Sequence, residues 1–140
     1  MSSYLDASVI VALLTVDPLN ERVEQFFRTL QDDLVVSDLA GAEFASAIAR
    51  RVRMRELALE VGRADLMAFD QWCARSALWV TVDSTDIAAA TGFLRRFDLM
   101  LLSPDAIHIA AAKRLGARLV TFDRRMAAAA GALGVAVAEA

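Results

Sequence analysis

"RLVTFDRR", residues 118–125, is a short apolar run that stops on a carboxylate. Leu119, Val120 and Phe122 read as a buried strand, and Asp123 stands at its carboxyl end. The same pattern occurs at "SSYLDAS", where Tyr4 and Leu5 run into Asp6, and at "LWVTVDS", where Trp79, Val80 and Val82 run into Asp83. "DLVVS" at 33–37 and "VAVA" at 135–138 supply two further candidate strands. Helical stretches lie between them. They are "ASVIVALL" from Ala7, Asn20 through Leu30 with Asn20 as cap, Ser37 or Asp38 to about Met54, Glu56 to about Arg75, and Ser84 to Phe97. A further helix is opened by Ser103 as capping hydroxyl with Pro104 at the first helical position, and runs to Gly116. "AAAAGALG" near the C-terminus fits a short helix ended by glycine. Strands alternating with helices predict an α/β fold, a central parallel sheet of four to five strands flanked by helices. Ligands in such sheets bind beyond the carboxyl ends of the strands. Asp6, Asp83 and Asp123 all sit there, so strand order decides which of them meet.

The chain has 140 residues, and one domain over 1–140 is expected. The hydrophobic fraction is 57% and the mean hydropathy +0.44, rich enough to imply a large core or an apolar face that meets a partner. No run reaches the roughly 18 apolar residues of a membrane span. The N-terminus lacks a positive start and Asp6 interrupts its apolar stretch, which is not the pattern of a signal peptide. With one cysteine, Cys73, no internal disulfide can form, and the expected location is cytoplasmic. The net charge of −3 gives the whole molecule no attraction for nucleic acid. The basic residues are nonetheless almost all arginine, with Lys113 the one lysine, and they cluster as "RRVRMR" at 50–55, Arg95–Arg96 and Arg124–Arg125. They read either as local phosphate contacts or as solvated helix faces of an Ala- and Arg-rich sequence.

Two further acids join the count. Asp105 falls in the first turn of its helix, where the free N–H groups favour a carboxylate. Glu43 lies in "LAGAEFASAIA", a nearly apolar helix with no cation at the spacings where a helical ion pair forms; Arg50 is two turns away. Such an acid needs a distant cation or a metal. Carboxylates brought within a few ångströms repel, and a hard divalent cation removes the conflict. Mg²⁺ or Mn²⁺ takes oxygen ligands, keeps waters and engages phosphate. Cys73 and His108 alone do not make a zinc site, and no phosphate-binding or dinucleotide-binding glycine loop is present. Each residue also has a plainer role. Asp6 can form a turn, Asp105 can open a helix, Asp123 can pair with Arg124 or Arg125, and Asp83 or Ser84 can cap a helix. His108, three residues after Asp105, is expected as a packed or hydrogen-bonded helix histidine. Ser8 can hold Asp6 or a metal water, and Thr121 points to the same sheet face as Asp123.

"YLDASVIVALL", "SDLAGAEFASAIARR", "SPDAIHIAAAKRLGARLVTFDRRMAAAA" and "LGVAV" together resemble the PIN domain, and within it the VapC-like toxins of bacterial toxin–antitoxin pairs. The resemblance covers essentially the whole chain in order. It implies a metal-dependent endoribonuclease with its acidic site at Asp6, Glu43, Asp105 and Asp123. Asp6 and Asp105 match the family's most dependable Mg²⁺ ligands, with Mn²⁺ as a substitute. Glu43 would hold metal or water, and Asp123 would complete the site. Ser8 and Thr121 match the family's supporting hydroxyls. It further implies that Asp6 and Asp123 end neighbouring central strands while Asp83 ends a strand elsewhere. A small VapB-like antitoxin and a homodimer or toxin–antitoxin hetero-oligomer are the implied partners, which suits the apolar Met54–Trp72 region and "FDLMLLS" at 97–103. Arg124 and Arg50 are candidates for the RNA backbone. One rival is a catalytically silent PIN-like protein-binding module. A phosphoacceptor receiver domain is another, but the first strand offers Asp6 alone and "RLVTF" has no lysine.

Overall fold

In the computed structural model, which describes residues 1–139, the chain runs β1 (Ser2–Leu5), α1 (Ala7–Leu14), α2 (Asn20–Thr29), β2 (Asp33–Ser37), α3 (Asp38–Arg53) and α4 (Leu59–Ser76). It continues β3 (Leu78–Val80), α5 (Ser84–Leu94), α6 (Ser103–Leu115), β4 (Arg118–Thr121), α7 (Arg124–Ala132) and β5 (Val137–Glu139). All strand pairs are parallel and the five strands lie in the order β3-β2-β1-β4-β5. The chain winds outward from β1 to β3, then crosses back to lay β4 on the other side of β1. The winding direction reverses between β1 and β4, and the crevice beyond their carboxyl ends is the switch point where α/β sheets bind ligands.

The period-two alternation of each strand builds two cores. Leu5, Val36 and Val120 pack with Val9, Ile10, Phe44, Ile48 and Phe69 beneath α1, α3 and α4. Tyr4, Val35 and Leu119 pack with Ile109, Met126 and Ala130 beneath α6 and α7. Ala90, Ala106 and Ala110 seat α5 on α6.

The element boundaries depart from expectation where side chains take over backbone bonds. Asn20 is the first residue of α2, and Leu19 is the cap. The Asn20 amide turns back instead, donating to the carbonyls of Ala12 and Thr15 and accepting from Asp17 N–H, so it satisfies the end of α1. Leu102, not Ser103, precedes α6, which places Pro104 one residue further in, still inside the turn whose N–H groups have no helical partner. The α3–α4 break falls at Arg55, which adopts φ 59°. Glu56 N–H reaches Arg51 O at 2.9 Å and Arg55 N–H reaches Val52 O at 3.1 Å, the paired bonds of a Schellman stop with arginine where glycine is usual. Helix α4 therefore starts at Leu59 rather than Glu56. Strand β3 ends at Val80, because Val82 N–H is taken by the Asp38 carboxylate at 2.8 Å. Helix α5 ends at Leu94, short of Phe97, whose φ is 63°. Strand β5 begins two residues late, after the left-handed turn at Gly134.

Candidate active site

Asp6 follows the last residue of β1 and caps α1. Its backbone N–H still bonds to Val120 O across the sheet at 3.2 Å, so the carboxylate is fixed to the β1–β4 seam. The side chain is buried. Oδ1 accepts from Ser8 Oγ at 2.6 Å and Val9 N–H at 3.2 Å, and Oδ2 accepts from Thr121 Oγ1 at 2.5 Å. Burial raises the carboxyl above its usual range, while these donors pull the other way.

Thr121 joins two acids. Its hydroxyl donates to Asp6 and accepts from Asp123 N–H at 3.0 Å. Asp123 caps α7, with Oδ1 accepting from Arg125 N–H at 2.9 Å and Met126 N–H at 3.2 Å. Among the described residues it makes no ion pair with either neighbouring arginine; it serves as a helix cap at an exposed site. Asp105 lies in the first turn of α6, half-buried. Its carboxyl is raised chiefly by burial, then by the charge of Asp123, with His108 opposing and Glu43 and Asp6 adding to the rise. The four acids therefore share one electrostatic neighbourhood. Asp83, at the far edge of the sheet, caps α5 in a reciprocal capping box with Asp86.

Glu43 projects from α3 and has found its distant partner: Oε1 lies against Nε2 of His108 on α6. His108 is 1% exposed, hydrogen-bonded as expected of a helix histidine, but to an acid of the site. Behind it, Nδ1 lies 2.6 Å from Tyr4 Oη, and Tyr4 Oη lies 2.7 Å from Ser37 Oγ. Burial pushes the Tyr4 phenol well above its usual range. Sequence reasoning missed Tyr4 and Ser37. The available signals were the two-residue spacing of Tyr4 from Asp6 in an extended stretch and the three-residue spacing of His108 from Asp105.

A cleft of 590 Å³ opens at the carboxyl end of β4, lined by Arg22, Thr121, Phe122, Asp123 and Arg124 among others. The Arg22 guanidinium sits over the Phe122 ring at 5.3 Å. Arg124 thus lines the same cleft as Asp123, and Arg22 joins it unforeseen. Arg50 does not: it is exposed in the last turn of α3, seven residues and roughly 10 Å of helix axis from Glu43.

Among the described residues, no group of three or more His, Cys, Asp or Glu side chains is gathered closely enough to hold one ion directly. The donor set is nonetheless that of a hard divalent cation, all carboxylate oxygen and mutually repelling. An ion bound through one or two carboxylates, with water bridging to the rest, fits both facts.

The sequence matches the PIN domain family over residues 3–132. It is 38% identical over 137 residues to Ribonuclease VapC46 of Mycobacterium tuberculosis, covering 96% of this chain and 94% of that protein. The fold is similar to that of the crystal structure of Mycobacterium tuberculosis VapC20, a Sarcin-Ricin loop cleaving toxin. There the TM-score is 0.75 at 19% identity, covering 91% of this chain and 94% of that one. It is also similar to VapBC2 from Rickettsia felis, solved bound to a DNA fragment from their promoter, with a TM-score of 0.76 at 12% identity, covering 100% of this chain and 99% of that one.

Proposed function

This chain belongs to the PIN domain family, and from that footing we propose that it is the ribonuclease of a toxin–antitoxin pair, cutting RNA phosphodiesters with a carboxylate-held Mg²⁺ or Mn²⁺. What supports the reading is the electrostatic neighbourhood that Asp105 shares with Asp123, Glu43 and Asp6: burial raises its carboxyl, and the charges of those three acids add to the rise. Asp6 and Asp105 hold the ion, and Glu43 and Asp123 hold waters around it. Once bound, the ion supplies charge neutralisation at the phosphodiester and acidifies a water enough for attack. Ser8 and Thr121 aim Asp6 by donating to its two oxygens, and these bonds oppose the rise that burial imposes on its carboxyl. Asp123, fixed through Thr121 and the first turn of α7, faces the cleft through which RNA reaches the acids. Arg124 and Arg22 hold the RNA backbone there, and Arg50 contacts it farther along α3.

The PIN domain spans 1–140, and its location is cytoplasmic; no helix among the described residues is long and apolar enough to cross a membrane. A VapB-like antitoxin is the partner, in a homodimer or hetero-oligomer. The apolar side chains of Phe97, Met100 and Leu102, 93%, 68% and 72% exposed, support a protein-covered surface.

The test compares antitoxin-free protein with Asp105→Asn on a mixed RNA pool, in Mg²⁺, in Mn²⁺ and in chelator. Discrete cleavage that needs both the metal and Asp105 is the expected result. Cleavage unchanged in the variant or in chelator refutes the site. Metal binding without cleavage of any RNA favours the silent binding module.

A further inference from the structure

We propose that His108 is a positioning residue for Glu43, held against it by a buried chain of hydrogen bonds that runs through Tyr4 and Ser37. The proposal rests on the reading of Glu43 as an acid of the site.

Glu43 has no local cation on α3, and a free glutamate samples many rotamers. Its one hydrogen-bonding side-chain partner among the described residues is Nε2 of His108. The imidazole cannot turn away. It is 1% exposed, packs edge-on against the Tyr4 ring at 5.5 Å between centroids, and has both nitrogens engaged. Among the described residues no buried side-chain polar atom lacks a partner.

Nε2 faces the Glu43 carboxyl, and on the other side of the ring Nδ1 lies 2.6 Å from Tyr4 Oη. Tyr4 Oη in turn donates to Ser37 Oγ, 2.7 Å behind. Ser37 Oγ is itself held by Ala40 N–H at 3.1 Å, because Ser37 caps α3, the helix that carries Glu43. The chain closes on itself: the start of α3 orients Ser37, then Tyr4, then His108, which orients Glu43 six residues further along α3. A hydrogen bond at one ring nitrogen that fixes the orientation of the other is the general logic of histidines that orient site ligands.

His108 is the chain's one histidine, so ¹⁵N imidazole spectra of the untagged, metal-free protein are unambiguous. Tyr4→Phe, which keeps the core volume, should shift the imidazole resonances of His108; an unchanged spectrum overturns the role of Tyr4. In function, Tyr4→Phe and His108→Leu should each weaken Mn²⁺ binding and kcat by about 10- to 100-fold, with KM for RNA little changed. His108→Gln, which can still offer an N–H to Glu43, should recover most of the loss. On a Glu43→Gln background, Tyr4→Phe should add nothing further. If Glu43→Gln is impaired while folded Tyr4→Phe and His108→Leu match wild type, positioning by His108 is wrong. If Glu43→Gln itself matches wild type, the reading of the acid site fails instead.

Discussion

Helix α6 carries Asp105 and His108 near its start, and near its end Arg114 anchors it to α5. Arg114 Nε and an Nη each donate to the Asp86 carboxylate at 2.8 Å, and the same Nη reaches Thr81 O at 3.2 Å. The Asp86 side chain is 1% exposed and that of Arg114 is 35% exposed. Arg114→Met removes both charge-assisted bonds and leaves the buried carboxylate with one donor, the backbone N–H of Asp83 at 3.1 Å. Breaking a buried pair costs about 3–5 kcal/mol. The surviving donor and the partly wetted arginine place this site at the low end, about 3 kcal/mol, or roughly 10 °C in Tm for a chain of this length. Asp86→Ala leaves the arginine to Asp83, 3.6 Å away, to Thr81 O and to water, but also opens the capping box, for a loss of about 2–3 kcal/mol. Arg114→Met with Asp86→Ala should then lose about 3 kcal/mol rather than the sum, a coupling of about 2 kcal/mol. Urea denaturation of the four metal-free proteins measures the cycle. Additive losses, with coupling below about 0.5 kcal/mol, would refute the claim that this pair acts as one anchor.

Metal-free Asp105→Asn should be more stable than wild type at pH 7. Burial raises both Asp6 and Asp105, so between the ordinary carboxylate range and their raised values the folded state holds the extra protons, and stability falls as pH rises through that window. The advantage of the asparagine should vanish near pH 4, where urea melts would compare the pair. Mn²⁺ at a hundredfold excess over its Kd should raise stability by about 2.7 kcal/mol, and EDTA should reverse it in thermal melts; Asp6→Asn should abolish the gain. Arg124→Ala and Arg22→Ala should each weaken RNA binding uniformly across sequences and flatten the log–log salt dependence by about 0.7 per lost contact, read by titration at several salt concentrations.

Much of the fold was legible because apolar runs of strand length alternate with helical ones. The parallel order followed from that alternation, and the separation of Asp83 from Asp6 and Asp123 followed from the resemblance. What was not legible depended on side chains leaving their own segment. Asn20 reads as a cap but is spent on the end of α1. Asp38 reads as part of a helix start, yet its Oδ1 ends β3 by taking Val82 N–H. The Glu43–His108 contact joins residues 65 apart, and no local spacing announces it. The lack of a cation near Glu43 on its own helix did announce that some distant group was required.

The acids differ in how the fold supports their charge, and the difference follows from where each sits. Asp6 and Asp123 are N-caps, so the free N–H groups of α1 and α7 hold them, and Thr121 ties the two caps together. Asp105 has the dipole of α6, yet no hydrogen bond is among the leading influences on its carboxyl; burial and its neighbours' charge dominate. A cation beside it would offset both burial and its neighbours' charge. Glu43, inside α3, has no helix terminus at all, and the fold supplies a histidine from across the sheet. A substitution at Thr121 should therefore disturb Asp6 and Asp123 together while leaving the His108 imidazole spectrum unchanged. Tyr4→Phe should do the reverse. The imidazole ¹⁵N spectrum separates the two support systems, and a Thr121→Val protein with an altered His108 signal would show that they are one.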